Sequence, residues 1–353
     1  MRINQILPNF SYGDAIGDDT LALHKIFQNL GHTSRIYAGV IHPYLSEKAF
    51  HWKHYRQVSN ENNILIYHFS VGSEIANYLY EIPDRLVLIY HNITPAHWFY
   101  GISPHMTELA AEGINQLKEL KNRTEAAWAD SEFNAEILRS LGYKNVRVLP
   151  IIFDFSRFEV QENRIFEEMY YHSGATWLFV GRVTPNKCHE DIIKAFAFYK
   201  NTIDPHARIM LVGDTKNCWR YTQNLLDIVK KIGISDIYFT GMIDDDELVS
   251  AFKMADLFIC LSEHEGFCVP LLEAMHFELP IIAFRAGAVP STLDGSGILI
   301  NDKDPRLISE IAHMLNIDSS FRKSIIMHQL RRLNQIQDHD FSSHVEDLLE
   351  ELE

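Results

Sequence analysis

Residues 262–275, with the sequence SEHEGFCVPLLEAM, decide the fold of this chain. They follow an apolar run, residues 257–261, that is typical of a buried parallel strand. Pro270 is suited to the first turn of a helix, where its missing N–H costs nothing. A loop that leaves a strand and opens a helix offers free amide N–H groups and the positive end of a helix dipole. Both features favour a bound phosphate.

Two carboxylates, Glu265 and Glu273, flank this predicted turn. Glu265 lies on the loop and Glu273 about one turn into the helix, so both can face one ligand. A phosphate-binding backbone beside carboxylates that bind hydroxyls indicates a phosphorylated sugar or a nucleotide sugar. Spacing alone leaves another interpretation open, in which Glu273 is an ordinary first-turn acid and Glu265 a solvated loop acid.

Apolar strands alternate with helical patterns twice along the chain, on either side of a polar stretch at residues 154–172 that we interpret as a linker. The chain has 353 residues, which is enough for two domains that each bury a core. This alternation predicts an α/β fold of two doubly wound, Rossmann-like domains that face each other across a cleft.

Composition narrows the functional classes. Apolar content is 46% and charged content 22%, as in ordinary globular proteins. The sequence has no apolar run near 18 residues and no signal-peptide pattern, and its four cysteines fit a reducing compartment, so we expect a cytoplasmic protein. A net charge of −15 argues against nucleic acid as a partner. An anionic ligand must therefore be bound by a few local cations.

Several segments resemble one enzyme family. Residues 265–273, EGFCVPLLE, resemble the E-x7-E motif of the retaining family 4 glycosyltransferases, which have the GT-B fold. Residues 179–187, FVGRVTPNK, resemble the family's loop in which an arginine and a lysine clamp the donor diphosphate. A fork-shaped guanidinium and a compact ammonium suit that role. The resemblance implies donor-binding roles for Gly13, Gly17, Gly181, Arg182, Lys187, Gly213, Met242, Ile243, Glu265, Gly266, Phe267, Cys268, Val269 and Glu273.

The first half of the chain supplies further candidates. The family usually carries paired glycines after its first strand; here Gly13 and Gly17 lie farther apart, and a plain strand-to-helix turn remains an alternative. His91 matches the position at which the family presents a histidine to the donor sugar, and His68 is a weaker candidate at the preceding strand end. We expect catalytic roles for His91, Glu265, Arg182 and Lys187.

The chain departs from the family's usual residues at three positions. Cys188 and Glu278 stand where the family commonly has glycine, and Ser291 stands where it commonly has glutamate. These differences affect the details of donor contact and leave the predicted fold unchanged.

The resemblance implies a retaining, metal-independent hexosyltransferase that needs no cofactor and uses a nucleotide diphosphate sugar. Residues 1–155 would bind the acceptor, with a last helix at about 340–353 packing back on them, and residues 156–339 would bind the donor. Similarity to bacterial O-antigen and surface polysaccharide mannosyltransferases, which serve lipopolysaccharide synthesis, suggests mannose from GDP-mannose and a lipid-linked or oligosaccharide acceptor. An epimerase or phosphorylase of the same fold, or a non-catalytic sugar-nucleotide scaffold, remains an alternative.

Two further patterns could indicate a metal site. Residues 244–246, DDD, resemble a metal-binding triplet, but they precede a helix, where acids act as caps. Cys260, His264 and Cys268 have zinc-like spacing without a fourth ligand. We therefore predict no metal.

A predicted helix at 107–123 carries basic residues, among them Lys118, Lys121 and Arg123. Peripheral contact with the cytoplasmic face of the inner membrane therefore remains an alternative to a solvated helix face. The oligomeric state is not predicted.

Overall fold

The computed structural model describes residues 2–352, which divide into two compact units. Unit 1 comprises residues 2–97, 105–154 and 339–352, and unit 2 comprises residues 98–104 and 155–338. Each unit is built on its own parallel sheet with helices between the strands. The predicted α/β class with two parallel-sheet domains is confirmed.

Unit 1 contains a seven-stranded sheet in the order β3-β2-β1-β4-β5-β6-β7. The strands are β1 (Arg2–Phe10), β2 (Thr33–Ile41), β3 (Ala49–His51), β4 (Ile64–Phe69), β5 (Arg85–Tyr90), β6 (Ala126–Ala129) and β7 (Val146–Val148). All neighbouring pairs are parallel. The order reverses direction at β1 and β4, which is where a doubly wound sheet opens a crevice beyond its strand ends.

Five helices accompany this sheet among the described residues. They are α1 (Ala15–Asn29), α2 (Glu74–Tyr78), α3 (Pro104–Leu120), α4 (Glu132–Ser140) and the C-terminal helix Phe341–Glu350, numbered α13 in chain order. The C-terminal helix packs in the core of unit 1, where Val345 and Leu348 contact a cluster that includes Ile3, Ile66 and Trp128. The chain end thus contributes apolar surface to unit 1.

Unit 2 contains a six-stranded parallel sheet in the order β10-β9-β8-β11-β12-β13. Its strands are β8 (Thr176–Val180), β9 (Arg208–Val212), β10 (Ile237–Gly241), β11 (Leu257–Cys260), β12 (Ile281–Phe284) and β13 (Ile298–Ile300). Its helices are α5 (Arg164–Met169), α6 (His189–Thr202), α7 (Trp219–Ile232), α8 (Asp245–Met254), α9 (Pro270–His276), α10 (Val289–Leu293), α11 (Pro305–Ile317) and α12 (Ser319–Gln337). The apolar runs of β8, β9 and β11 are buried because helices cover both faces of the sheet.

Residues 155–172 of the segment interpreted as a linker belong to unit 2. They hold a 3-10 turn, Phe155–Phe158, and helix α5. Phe158 packs edge-on against Phe277 with 5.1 Å between ring centroids, and the Asn163 side chain donates to Asp246 at 3.0 Å. Apolar and polar side chains of this segment thus make tertiary contacts within unit 2.

Some predicted helix ends were also displaced. Helix α1 begins at Ala15, so Gly17, which was expected in the loop after the first strand, lies inside the helix. Helix α3 ends at Leu120, so Lys121 and Arg123 lie beyond it. No helix within residues 2–352 combines the length and apolarity that a membrane crossing requires.

Candidate active site

The strand ends of unit 2 bring the predicted donor-binding residues together. Strands β8, β9 and β10 are parallel, so their carboxyl ends meet at one edge of the sheet. The Gly181 amide N–H donates to Val212 O at 2.9 Å, and the Gly213 amide N–H donates to Gly241 O at 3.0 Å. A Cβ at Gly213 would lie 2.0 Å from Gly181 O, and φ there is +141°. Only glycine permits this close approach of the two loops.

Lys187 and Glu265 form the central ion pair of this site. The Lys187 ammonium donates to both Glu265 carboxylate oxygens at 2.6 Å. The two side chains are only 18% and 8% exposed. Burial lowers the pKa of Lys187, but the Glu265 carboxylate and the neighbouring thiols outweigh this and leave that pKa above its ordinary value. The lysine is therefore a fixed positive charge at neutral pH.

Asn186, which the sequence did not single out, joins the two loops that carry this pair. Its side-chain amide donates to the backbone carbonyl of His264 at 3.1 Å, and its own backbone carbonyl accepts from the Glu263 backbone N–H at 2.9 Å. These bonds hold the turn that bears Lys187 against the loop that bears Glu265. In the sequence, this role is marked by an asparagine directly before the lysine, and an asparagine at that position is also typical of an ordinary turn.

Backbone donors lie in the same loop, directly before α9. Within residues 2–352, the amide N–H groups of Phe267, Cys268 and Val269 donate to no protein acceptor, although all three residues are buried. The first amides of any helix lack an intrahelical acceptor, and such free N–H groups are suited to an anion. Glu273 is buried in the first turn of α9, as its spacing predicted.

The remaining predicted donor residues differ in exposure. Arg182 is exposed, and its guanidinium pairs with no carboxylate of the described chain. Met242 is 65% exposed and follows β10. Ile243 and Gly266 are partly buried in the loops after β10 and β11. The structure thus gathers one exposed and one buried cation around the strand ends of unit 2.

The aspartates of residues 244–246 have structural partners. Asp244 and Glu247 form a capping box at the start of α8. The Asp245 carboxylate pairs with Arg157 at 2.6 Å, and Asp246 accepts from the Asn163 side chain at 3.0 Å. Near the donor loop, Cys260, Glu265 and Cys268 lie close enough to one another to share a metal ion. His264, which has zinc-like spacing with the two cysteines, is not part of this set.

A second polar cluster lies at the strand ends of unit 1. The Gln5 side-chain amide donates to Thr20 O at 3.0 Å, so its carbonyl oxygen faces His68 Nε2 at 2.8 Å. His68 Nε2 therefore carries a proton. Burial and the neighbouring His91 hold the pKa of His68 well below its ordinary value, so His68 is neutral and its Nδ1 accepts. His91 Nε2, 2.9 Å away, must donate.

His91 itself is enclosed by protein groups. Its Nδ1 lies 3.6 Å from Asp130 Oδ2, and its side chain is 1% exposed. Asn134 donates to Asp130 at 2.5 Å and orients that carboxylate. Gln5 and His68 thus fix the His91 ring, and Asp130 lies beside its Nδ1. The sequence identified both histidines but not the glutamine, which follows Asn4 in the middle of β1.

Asp19 adds a second buried carboxylate to the cluster. Its side chain accepts from the Ile152 amide N–H at 2.9 Å. Burial raises the pKa of Asp19 to about 6, and the neighbouring His91 opposes that shift. The two candidate glycines have local roles: Gly13, in the loop after β1, has φ +70°, and a Cβ at Gly17, in the first turn of α1, would lie 2.5 Å from Ser11 O.

Part of the chain matches a known protein family. Residues 161–327 match the model of the family described as glycosyl transferases group 1. The chain is 23% identical over 264 residues to the serotype-specific mannosyltransferase WbdA of Escherichia coli, which covers 70% of this chain and 31% of that protein. It is 30% identical over 139 residues to N-acetyl-alpha-D-glucosaminyl L-malate synthase of Bacillus anthracis, or 38% of this chain and 34% of that one. The chain thus spans about a third of the length of these curated relatives.

Solved structures share the fold. Anabaena HepE in complex with UDP and glucose has a TM-score of 0.77 at 15% identity, with 99% of this chain and 100% of that chain covered. WaaG, a glycosyltransferase involved in lipopolysaccharide biosynthesis, has a TM-score of 0.70 at 14% identity, with 97% and 96% covered. Residues 161–327 are therefore a glycosyl transferases group 1 domain, within a chain that has the two parallel-sheet units of the GT-B glycosyltransferases.

Proposed function

We propose that this chain is a retaining glycosyltransferase that transfers a hexosyl group from a nucleotide diphosphate sugar to a hydroxyl. The observation that carries the proposal is the buried Lys187–Glu265 pair beside the unpaired amides of residues 267–269. A positive charge and converging N–H groups suit a diphosphate, and a carboxylate suits sugar hydroxyls. The family match to residues 161–327 supports the same assignment.

The proposed mechanism stabilises charge on the leaving group. As the glycosidic bond breaks, negative charge grows on the diphosphate, and Arg182, Lys187 and the amides of residues 267–269 offset it. Fixed donors aimed at developing charge are often the largest contribution to catalysis. Glu265 hydrogen-bonds hydroxyls of the sugar, and Glu273 binds the ribose. These cations make the proposed transfer independent of a metal ion.

Retention of the anomeric configuration has two routes: two successive displacements through a covalent glycosyl-enzyme, or one attack on the face from which the leaving group departs. None of the carboxylates assigned here is a covalent nucleophile, so we propose front-face attack with the donor phosphate accepting the acceptor's proton. His91 is the proposed catalytic histidine of this scheme, and Gln5 and His68 hold its ring in one orientation. Exclusion of water protects the donor from hydrolysis.

Mannose from GDP-mannose is the proposed donor, because relatives matched over 70% of the chain are named mannosyltransferases. The proposed acceptor is a lipid-linked or oligosaccharide hydroxyl bound by unit 1. Exposed aromatic rings lie after β1 and β2, where Tyr12 and Tyr44 are 5.8 Å apart and 44% and 76% exposed. Such rings suit the apolar face of a sugar.

Membrane contact through basic residues is a separate proposal, and two of the three candidate cations have partners within the protein. Arg123 donates to the carbonyls of Leu79, Ile82 and Asp84, and Lys121 donates to Leu141 O at 3.0 Å. Both cations therefore stabilise the local backbone of unit 1. Lys118 remains exposed on α3.

The test supplies GDP-mannose, UDP-glucose, dTDP-glucose and ADP-glucose separately with octyl α-mannoside as acceptor, in EDTA. We expect release of one nucleoside diphosphate and an NMR signal for a product that keeps the donor's anomeric configuration. Lys187→Ala should abolish turnover. The matched control Lys253→Ala, which breaks an exposed ion pair in the same unit, should not. Inversion, or release only with added metal, would contradict the mechanism, and a preference for another sugar would correct the donor.

A further inference from the structure

Two buried thiols lie within the donor loop of unit 2. Cys260 is the last residue of β11, and Cys268 lies in the loop before α9. Their sulfur atoms are 3.8 Å apart, and the residues are 1% and 7% exposed. The loop between them carries Glu265, whose carboxylate lies within 4.8 Å of both sulfur atoms.

The backbone at Cys268 is unusual for a residue with a side chain. Its φ is +72°, in the left-handed region that favours glycine. The thiol at this position is therefore accommodated at a conformational cost. The contact that its sulfur makes is with Cys260.

The surroundings of Cys260 favour its thiolate. Its sulfur lies 3.4 Å from Ser262 Oγ as well as 3.8 Å from Cys268. The hydrogen bond from Cys268, with help from Ser262 and Lys187, lowers the pKa of Cys260, and donating that bond raises the pKa of Cys268. The thiolate is the nucleophilic form of cysteine, so Cys260 is the more reactive of the two.

We propose that Cys260 and Cys268 are an oxidisable thiol pair, and that their conversion to a disulfide blocks donor binding. The second part of this inference rests on the proposed function, because it assumes that residues 265–269 bind the donor. The pairing of the two sulfur atoms does not depend on it.

The chemistry requires a two-electron oxidant, for which we name a peroxide. The Cys260 thiolate attacks one peroxide oxygen, forms a sulfenic acid and releases hydroxide, which takes up a proton to become water. Cys268 then attacks the Cys260 sulfur and expels a second water as the S–S bond forms. Both sulfur atoms are oxidised and one peroxide molecule is reduced. A dithiol reductant reverses the reaction by exchange.

Disulfide formation must move the loop. A disulfide requires the two sulfur atoms to approach from 3.8 Å to about 2.05 Å. The residues that lie between Cys260 and Cys268 include Glu265, which Lys187 holds in place. Closing the bond therefore shifts Glu265 or the amides of residues 267–269 away from the arrangement that suits a diphosphate.

The experiment treats the full-length protein with hydrogen peroxide and blocks remaining thiols with N-ethylmaleimide. Digestion with a glutamate-specific protease cuts after Glu263 and Glu265, so a Cys260–Cys268 disulfide appears in unreduced mass spectra as two joined peptides. UDP and GDP binding is measured by calorimetry before oxidation, after oxidation and after dithiothreitol. We expect the joined peptides, an increase in Kd of at least about tenfold, and recovery on reduction.

Variants separate this effect from general peroxide damage. Cys260→Ser should bind nucleotide as the reduced protein does and should keep that binding after peroxide. Cys218→Ser removes another buried cysteine of unit 2 and should remain sensitive. If Cys260→Ser fails to fold, the joined peptides of the unaltered protein still decide whether the pair oxidises.

The outcomes distinguish the two proposals. Absence of the joined peptides overturns the thiol pair, while nucleotide binding by the reduced protein leaves the proposed function standing. Joined peptides with unchanged binding overturn the claim that oxidation blocks the donor. If the reduced protein binds neither UDP nor GDP, the proposed function and that claim both fail, and mass spectrometry alone then decides the disulfide.

Discussion

Replacing Lys187 with methionine should separate the structural contribution of the Lys187–Glu265 pair from its contribution to binding. Methionine keeps much of the aliphatic stem and removes the charge. The ammonium contacts both carboxylate oxygens at 2.6 Å, and Glu265 is only 8% exposed in its side chain. The variant therefore leaves a buried carboxylate without its cation.

The magnitude follows from that burial. Removing one partner of a buried ion pair typically costs 3–5 kcal/mol, and because Lys187 is 18% exposed we expect the lower end, about 3 kcal/mol. The exposed pair of Lys253 and Glu162 supplies the control, since its side chains are 50% and 39% exposed. Lys253→Met should cost about 0–1 kcal/mol.

The assay is urea denaturation followed by tryptophan fluorescence, with nucleotide binding measured on the same samples. The double variant Lys187→Met with Glu265→Gln removes both charges and should recover about 2 kcal/mol of the loss. Neither Lys187→Met nor the double variant should bind nucleotide, because the second substitution restores stability but does not restore the positive charge. A cost for Lys187→Met equal to that of Lys253→Met, or recovery of binding in the double variant, would refute this reasoning.

Three further predictions concern the scaffold. Burial raises the pKa of Asp19 to about 6, so the protonated carboxyl stabilises the folded protein at low pH and this stabilisation is lost as the pH rises through 6. The free energy of unfolding of Asp19→Asn, measured by urea denaturation, should therefore rise by up to about 3 kcal/mol relative to that of the unaltered protein between pH 4 and pH 7. A difference that does not change with pH would contradict this. Gly213→Ala should destabilise by several kcal/mol in thermal unfolding, whereas Gly233→Ala, with φ +72° and open space, should cost about 1–3 kcal/mol; equal costs would refute the steric argument. His68→Phe should cost about 2 kcal/mol by leaving Gln5 and His91 unpaired, and a neutral result would refute the hydrogen-bond chain.

The strands were the most predictable part of the fold. The continuous apolar run of residues 257–261 predicted a strand, which the structure places at Leu257–Cys260, because a strand buried on both faces has little room for polar residues. Gly17 was placed in the loop after the first strand and lies instead in the first turn of α1, where a residue of low helix propensity gives no local signal. Helix α5 was missed because the polar residue that begins it, Asn163, has a partner distant in sequence, the Asp246 carboxylate.

The candidate site was predictable as single residues and not as contacts. Motif positions identified Lys187 and Glu265 separately, but their ion pair joins residues 78 positions apart. Gln5 contacts His68 across 63 positions, and no local pattern in β1 distinguishes it from the neighbouring Asn4. Cys260 gained its interpretation only when the loop placed Cys268 beside it.

The central claim is that unit 2 binds a nucleoside diphosphate through Lys187, Arg182 and the loop amides. Its most direct test is thermal unfolding of the protein against UDP, GDP, dTDP and ADP in EDTA. A ligand that binds only the folded state adds about 2.7 kcal/mol at a hundredfold excess over its Kd. The account predicts that one nucleotide stabilises the protein and that Lys187→Ala and Arg182→Ala remove the effect while Lys253→Ala keeps it. Stabilisation by none of the four, or equal stabilisation of all three variants, would contradict it.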